Sequence, residues 1–254
     1  MGLNRFFVNA SQINEVNKTI SILGEDVKHI SKVLRLSIGD LIELCDEAFE
    51  YICEIKDISK NEVTLSYDER VQIKTEASIR VTLYQGIPKS TKMDLIIQKT
   101  TEMGIAEVVP VFTQRTVVQL DSSKDKIKKT DRWQKISAEA AKQSKRGVIP
   151  LVHPPMLFKE ALKHCQGNDL NIIAYEGEEK NSLKPLLQGV NKSLTKIGIW
   201  IGPEGGYTEN EVVEAIQHQI NTVTLGPRIL RTETAGFALL SIVMYELGDL
   251  GGSM

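Results

Sequence analysis

Cysteine is scarce in this chain. Cys45, Cys53 and Cys165 are the three present among 254 residues, with no CxxC pair. An odd, scattered set excludes a disulfide frame and a zinc ribbon, and it implies reduced thiols in a cytoplasmic protein. Histidine is nearly as sparse. His29, His153, His164 and His218 show neither HExxH nor HxH spacing, so no metal site is expected. No apolar run approaches the roughly 18 residues of a membrane span, and no membrane partner is expected. The opening Met1–Val8 lacks the apolar stretch of a signal peptide. The Met-Gly start has Phe6 where a myristoylation motif needs Ser or Thr. Charge of one sign is also lacking. Lys and Arg number 31 against 33 Asp and Glu, a formal net charge of −2. That balance excludes a bulk electrostatic binder of nucleic acid, so any such role must come from a local patch.

What is present is a core. Hydrophobic residues make up 41% of the chain, enough for one large domain or two ordinary ones. Residues 1–73 read as mostly β, with short strands at Leu41–Cys45, Phe49–Ile55 and Glu62–Tyr67 and a short helix at Glu25–Val33. This pattern suggests a small barrel, and the polar stretch 68–78 suggests a linker. Beyond it, residues 74–254 alternate. Strands are expected at Ile79–Gly86, Glu107–Phe112, Leu151–His153, Leu170–Tyr175, Ile197–Ile201 and Thr222–Leu225. Helices are expected at Asp94–Met103, Asp131–Lys145, Phe158–Cys165, Thr208–Gln217 and Thr234–Leu247. Near-continuous apolar strands between helices imply an α/β fold with a parallel sheet covered on both faces. Such sheets bind ligands beyond the C-terminal ends of their strands.

Two segments there carry chemistry. Ile201-Gly202-Pro203-Glu204-Gly205-Gly206 runs from a strand into a helix, with Thr208 and Glu211 spaced as a capping box. Its glycines allow positive φ and close backbone approach to a ligand, but it is neither GxGxxG nor a P-loop. Leu225-Gly226-Pro227-Arg228-Ile229-Leu230-Arg231-Thr232-Glu233-Thr234-Ala235 also joins a strand to a helix. Thr232 is expected to cap that helix and Glu233 to complement its dipole. Two arginines at a helix start, where positive charge is disfavoured, point to an anionic or electron-rich partner.

These two segments strongly resemble the bacterial small-subunit ribosomal RNA uridine N3-methyltransferase family, of the SPOUT class of knotted methyltransferases. Arg5-Phe6-Phe7 is similar to the family's opening, as is His29-Ile30-Ser31-Lys32-Val33-Leu34-Arg35. Gln98-Lys99-Thr100-Thr101-Glu102-Met103-Gly104 resembles its Gln-Lys…Thr-Glu-Leu-Gly helix, with Met103 for Leu. One departure is Lys142, which stands where the family usually has Glu before Gln-Ser. The resemblance implies a PUA-like RNA-binding barrel over 1–73 and a SPOUT domain with a trefoil knot over 74–254. It implies a homodimer that uses S-adenosylmethionine to methylate uridine N3 in 16S ribosomal RNA, free or in the assembled small subunit. The implied cofactor pocket takes Glu176, Ile201, Gly202, Pro203, Glu204, Gly206, Leu225, Gly226, Ile229, Leu230, Thr234 and Ala235.

For the reaction, Arg231 is expected to face the target base or its phosphate. Glu233 is either a proton acceptor or a brace for Arg231 and the helix start. The run from Lys124 to Arg146 is strongly basic, so Lys128, Lys129, Arg132, Lys145 and Arg146 are expected to hold RNA. His29, Arg35, Arg115 and Arg228 are expected to join them. Two other readings stay open at this point. A related knotted enzyme would methylate ribose 2′-OH, and a non-catalytic ribosome-assembly protein would keep the fold alone.

Overall fold

The computed structural model describes residues 3–120, 122–191 and 193–252. The chain forms two units. The first comprises Met1–Glu76 and Ala141–Val148, and the second Ala77–Ala140 and Ile149–Met254.

The first unit is a curled sheet. Its strands are β1 (Arg5–Phe7), β2 (Ile13–Asn14), β3 (Thr19–Leu23), β4 (Leu41–Cys45), β5 (Phe49–Ile58) and β6 (Glu62–Gln72), in the order β1-β4-β5-β6-β3-β2. Only β1 and β4 run parallel. Helix α1 (Glu25–Lys28) continues into a π-helical turn over His29–Val33. Alternate strand residues bury Phe6, Ile20, Ile22, Ile42, Leu44, Ile55, Val63 and Leu65 in one core. Strand β6 runs on to Gln72, so the first part of the expected linker is strand. Residues 68–72 are exposed throughout, which removes the alternation that marks a half-buried strand; Arg70, Val71 and Gln72 are held by the ladder to β5, and Lys18 donates to the Asp68 carbonyl.

Sequence periodicity also misses why residues 141–148 return to this unit. Arg5 is 6% exposed. Its guanidinium donates to the carbonyls of Lys145 (2.6 Å) and Arg146 (2.8 Å) and pairs with Glu43 and Glu50. Lys142 pairs with Asp26 at 3.0 Å and Arg146 with Glu76. A Cβ on Gly147 would lie 2.4 Å from the Ile73 side chain, so any larger residue there must displace Ile73.

The second unit is a parallel sheet. It contains β7 (Arg80–Gly86), β8 (Glu107–Phe112), β9 (Leu151–Val152), β10 (Met156–Leu157), β11 (Leu170–Ala174), β12 (Lys196–Ile201) and β13 (Asn221–Val223). Their order is β10-β8-β7-β12-β11-β13, with β9 also on β8. The helices are α2 (Lys92–Glu102), α3 (Ser123–Gln143, whose residues from Ala141 on belong to the first unit), α4 (Phe158–His164), α5 (Leu183–Gly189), α6 (Glu209–Gln217) and α7 (Thr232–Leu247). Period-2 alternation sends Val81, Leu83, Ile197 and Ile199 to one face, packed with Ile96 and Ile97 of α2 and Leu239, Leu240 and Val243 of α7. Tyr84 and Trp200 go to the other face, stacked 4.2 Å apart and packed with Phe158 and Leu162 of α4 and Val212 and Ala215 of α6. Both faces are therefore covered, as the apolar strands require.

Helix α3 starts at Ser123, well before the expected Asp131, because its first two turns are mostly charged and carry little periodicity. Among the described residues no helix is long and apolar enough to cross a membrane.

Candidate functional site

The chain leaves the sheet centre in two directions. β7 leads outward to β8, and β12 pairs with β7 on the other side. Crevices form at such reversals, beyond the C-terminal strand ends. There a cleft of about 840 Å³ is lined by the segments that follow β11, β12 and β13.

The glycine-rich turn after β12 is held tightly. A Cβ on Gly86 would lie 2.5 Å from the Pro203 ring, and one on Gly202 would lie 3.0 Å from the Gly206 backbone. Gly206 has φ +67° and Gly226 φ +111°, in the left-handed region that favours glycine. Thr208 caps α6 in a reciprocal box with Glu211. Glu211 is 2% exposed and also accepts the Gln114 N–H at 2.8 Å. Arg115 donates to the Gly205 carbonyl at 2.7 Å. The loop after β8 thus clamps the turn from outside.

Most of the expected pocket residues meet in this one cleft. Glu176, Ile201, Gly202, Pro203, Glu204, Gly206, Leu225, Gly226, Ile229, Leu230 and Ala235 line it, together with Arg228 and Arg231. Thr234 and Glu233 do not line it. Lys92, Tyr175, Glu178, Tyr207, Thr224 and Thr232 line it as well, and most of them carry no signal in the sequence.

Thr232 departs from expectation. The N-cap of α7 is Arg231, with no side-chain cap, and Thr232 is the first helical residue. Its hydroxyl donates to the Gly202 carbonyl at 2.6 Å and accepts from the Gln85 amide at 2.9 Å. Gln85 is fully buried and also donates to the Gly86 carbonyl. This buried network ties the end of β7, the turn after β12 and the start of α7. Nothing in local spacing announces it, because its members lie 30 and 147 residues apart.

Lys92 connects the two acids of interest. Its ammonium lies 3.1 Å from Glu204 and 3.4 Å from Glu233. The hydrogen bond to Glu204 raises Lys92 above its ordinary value. Burial works against ionised Glu204, but its own backbone N–H, Lys92 and the Lys89 N–H outweigh that and hold the carboxyl below its usual range. At the far rim, Glu178 is held at about 2 by the Thr222 hydroxyl and the N–H groups of Asn181 and Lys180.

The expected RNA-binding residues divide. Arg35, Arg115, Lys128, Arg132 and Arg228 are exposed, and Lys129 and His29 are half-buried. Arg132 pairs with Asp94, and His29 sits edge-on to the Phe6 ring. Arg146 is a correction. Its side chain is 7% exposed and engaged by Glu76, so it is not a free phosphate contact. Lys145 is likewise engaged, by Glu43 and the Leu3 carbonyl at 2.5 Å each.

Comparison with known proteins agrees with this architecture. The chain matches the RNA methyltransferase domain family over residues 75–244 and the RNA methyltransferase PUA domain over residues 22–66. It is 40% identical to ribosomal RNA small subunit methyltransferase E of Bacillus subtilis, covering 98% of this chain and 99% of that one. The protein of the same name from Buchnera aphidicola (strain APS) is 30% identical, over 92% and 91%. The crystal structure of ribosomal RNA small subunit methyltransferase E from Neisseria gonorrhoeae, bound to S-adenosyl methionine, superposes with a TM-score of 0.86. It is 28% identical and covers 98% of this chain and 99% of that one. A putative methyltransferase from Legionella pneumophila, also in complex with S-adenosylmethionine, gives 0.87 at 25% identity, over 98% and 100%. With a curled PUA-like unit, a parallel α/β unit and these matches along nearly its whole length, the chain belongs to the RNA methyltransferase family of ribosomal RNA small subunit methyltransferase E.

Proposed function

We propose that this chain transfers a methyl group from S-adenosylmethionine to N3 of a uridine in 16S ribosomal RNA of the small subunit. The observation that carries this reading is the convergence of two glycine turns, 202–206 and 225–231, on one cleft at the strand ends.

The residues present fit the cofactor. Ile201, Leu225, Leu230 and Ala235 supply apolar wall for a flat adenine, and the turns supply backbone N–H and C=O for its edges. A Cβ at Gly226 would meet no protein atom within 4 Å, which leaves that stretch of wall open. The bound sulfonium supplies an electrophilic methyl group.

The chain's own task is alignment and charge. Uracil N3 must lose a proton, and the resulting charge spreads over O2 and O4. Arg231, exposed at the head of α7 on the cleft rim, binds a uracil oxygen and favours the N3 anion. Glu233 braces rather than abstracts, because Lys92 holds it and it stands outside the cleft lining. Arg115, Lys128, Lys129, Arg132 and Arg228 hold phosphate in the methyltransferase unit, while His29 and Arg35 serve the PUA-like unit. The enzyme acts in the cytoplasm as a homodimer, a state supported by Ile229 (86% exposed) and Tyr245 (70% exposed). The last strands and helix of the methyltransferase unit are threaded as a trefoil knot, as the family resemblance implies.

The test is methyl transfer to small subunits from cells lacking the gene, followed by nucleoside mass spectrometry. N3-methyluridine is expected, and ribose methylation would overturn the reading. Arg231→Ala should abolish transfer while retaining cofactor affinity by calorimetry. Unchanged turnover would remove Arg231 from the mechanism.

A further inference from the structure

The sequence shows no metal motif, yet among the described residues folding gathers a potential ligand set outside the cleft lining. Glu107 heads β8, His153 follows β9 and His164 ends α4. One donor atom from each lies within 4.8 Å of the others. Glu107 stands at the N-terminal end of its strand, whereas the cleft lies beyond the C-terminal ends.

We propose that Glu107, His153 and His164 form a binding site for a divalent transition-metal ion of the Zn²⁺ type.

Two imidazoles and one carboxylate suit a borderline ion, and they leave a fourth position for water in an open site. Bond lengths of about 2.0–2.1 Å in a tetrahedral site place donors about 3.4 Å apart. His153 Nε2 and Glu107 Oε2 now lie 2.8 Å apart, sharing a proton. The ion replaces that proton, and each donor moves by under about 1 Å.

The surroundings prepare the site. Glu107 offers its carboxylate from the N-terminal end of β8, between His153 and Arg80. His164 Nδ1 meets the Tyr84 hydroxyl at 2.9 Å, and Asn168 donates to that hydroxyl at 3.4 Å. Outer partners of this kind orient a ligating ring. Arg80, at 3.1 Å from Glu107, is 60% exposed and free to swing away from an arriving cation. Cys165 is adjacent in sequence but takes no part. Its thiol points to the Leu162 carbonyl, and burial raises it to about 11. The bound ion ties β8, the exit of β9 and the end of α4 into one brace.

The test uses full-length protein, freed of any polyhistidine tag and stripped with chelator. Zn²⁺ is titrated against a chromophoric chelator, and Co²⁺ serves as a visible-absorbing substitute. One equivalent is expected, with a rise in melting temperature on loading. His164→Ala, at an exposed helix end, should fold normally, weaken binding at least about tenfold and lose the thermal rise. Glu107→Gln should do the same, while His218→Ala should bind as the wild type does. No stoichiometric binding by the wild type, or equal affinity in His164→Ala and Glu107→Gln, would overturn the proposal.

Discussion

Replacing Thr232 by valine tests whether the buried network shapes the cleft. Valine keeps the shape of threonine and removes only the hydroxyl. Thr232 is 6% exposed, so water cannot substitute. The Gly202 carbonyl would lose its 2.6 Å donor and retain only the Gln85 amide at 3.5 Å, too long for a good bond. Gln85 would lose one acceptor but keep Gly86. A buried carbonyl left without a close donor costs about 1–3 kcal/mol. Taking about 2 kcal/mol, a domain of this size should melt about 4–8 °C lower. Calorimetric melting reads that loss, and titration with S-adenosylmethionine reads the loosened turn as weaker affinity. Thr232→Ser restores the hydroxyl and should recover most of both. In a double-mutant cycle, Thr232→Val and Gln85→Leu should couple by about 0.5–3 kcal/mol. If Thr232→Val melts with the wild type and binds cofactor equally, the network does not hold the site.

Three further outcomes are expected. Glu178 has a folded value of about 2, below its ordinary 4.5, so its contribution is present above about pH 4.5 and lost as pH falls towards 2; Glu178→Gln should flatten the acid limb of melting temperature against pH. Neutralising Lys128, Lys129 and Arg132 should reduce the salt slope of RNA affinity by about 0.7–0.9 for each phosphate no longer paired with a cation, measured by filter binding across a salt series. Arg146→Ala should leave that slope intact but cost about 3 kcal/mol in denaturant melts, because it takes from Glu76 its buried partner.

Legibility in the sequence follows the range of the interaction. β4 and β8 match their expected bounds, because their apolar residues repeat within a few positions. The capping box of α6 is equally local, with Thr208 and Glu211 three residues apart. β1 and β3 carry no such signal, since short strands read as strands only once paired with β4 and β6. Helix α5 is hidden too, with Pro185 in its first turn. Thr232 reads as a cap because cap chemistry is local, while its real partners, Gln85 and Gly202, come from other strands.

By itself the sequence determined the two-part organisation, the parallel sheet and the two glycine turns, each written in nearby residues. Near-neutral charge likewise predicted that basic groups would be local rather than general. Only the tertiary structure decided which of those groups remain free. Arg146 and Lys145 belong to a charge run in sequence, but Arg5, Glu43 and Glu76 draw them into the first unit. Only the fold could place Lys92 between Glu204 and Glu233, or bring Glu107, His153 and His164 together. Coulombic and coordination interactions act over a few ångströms of space, and distance along the chain carries no record of them.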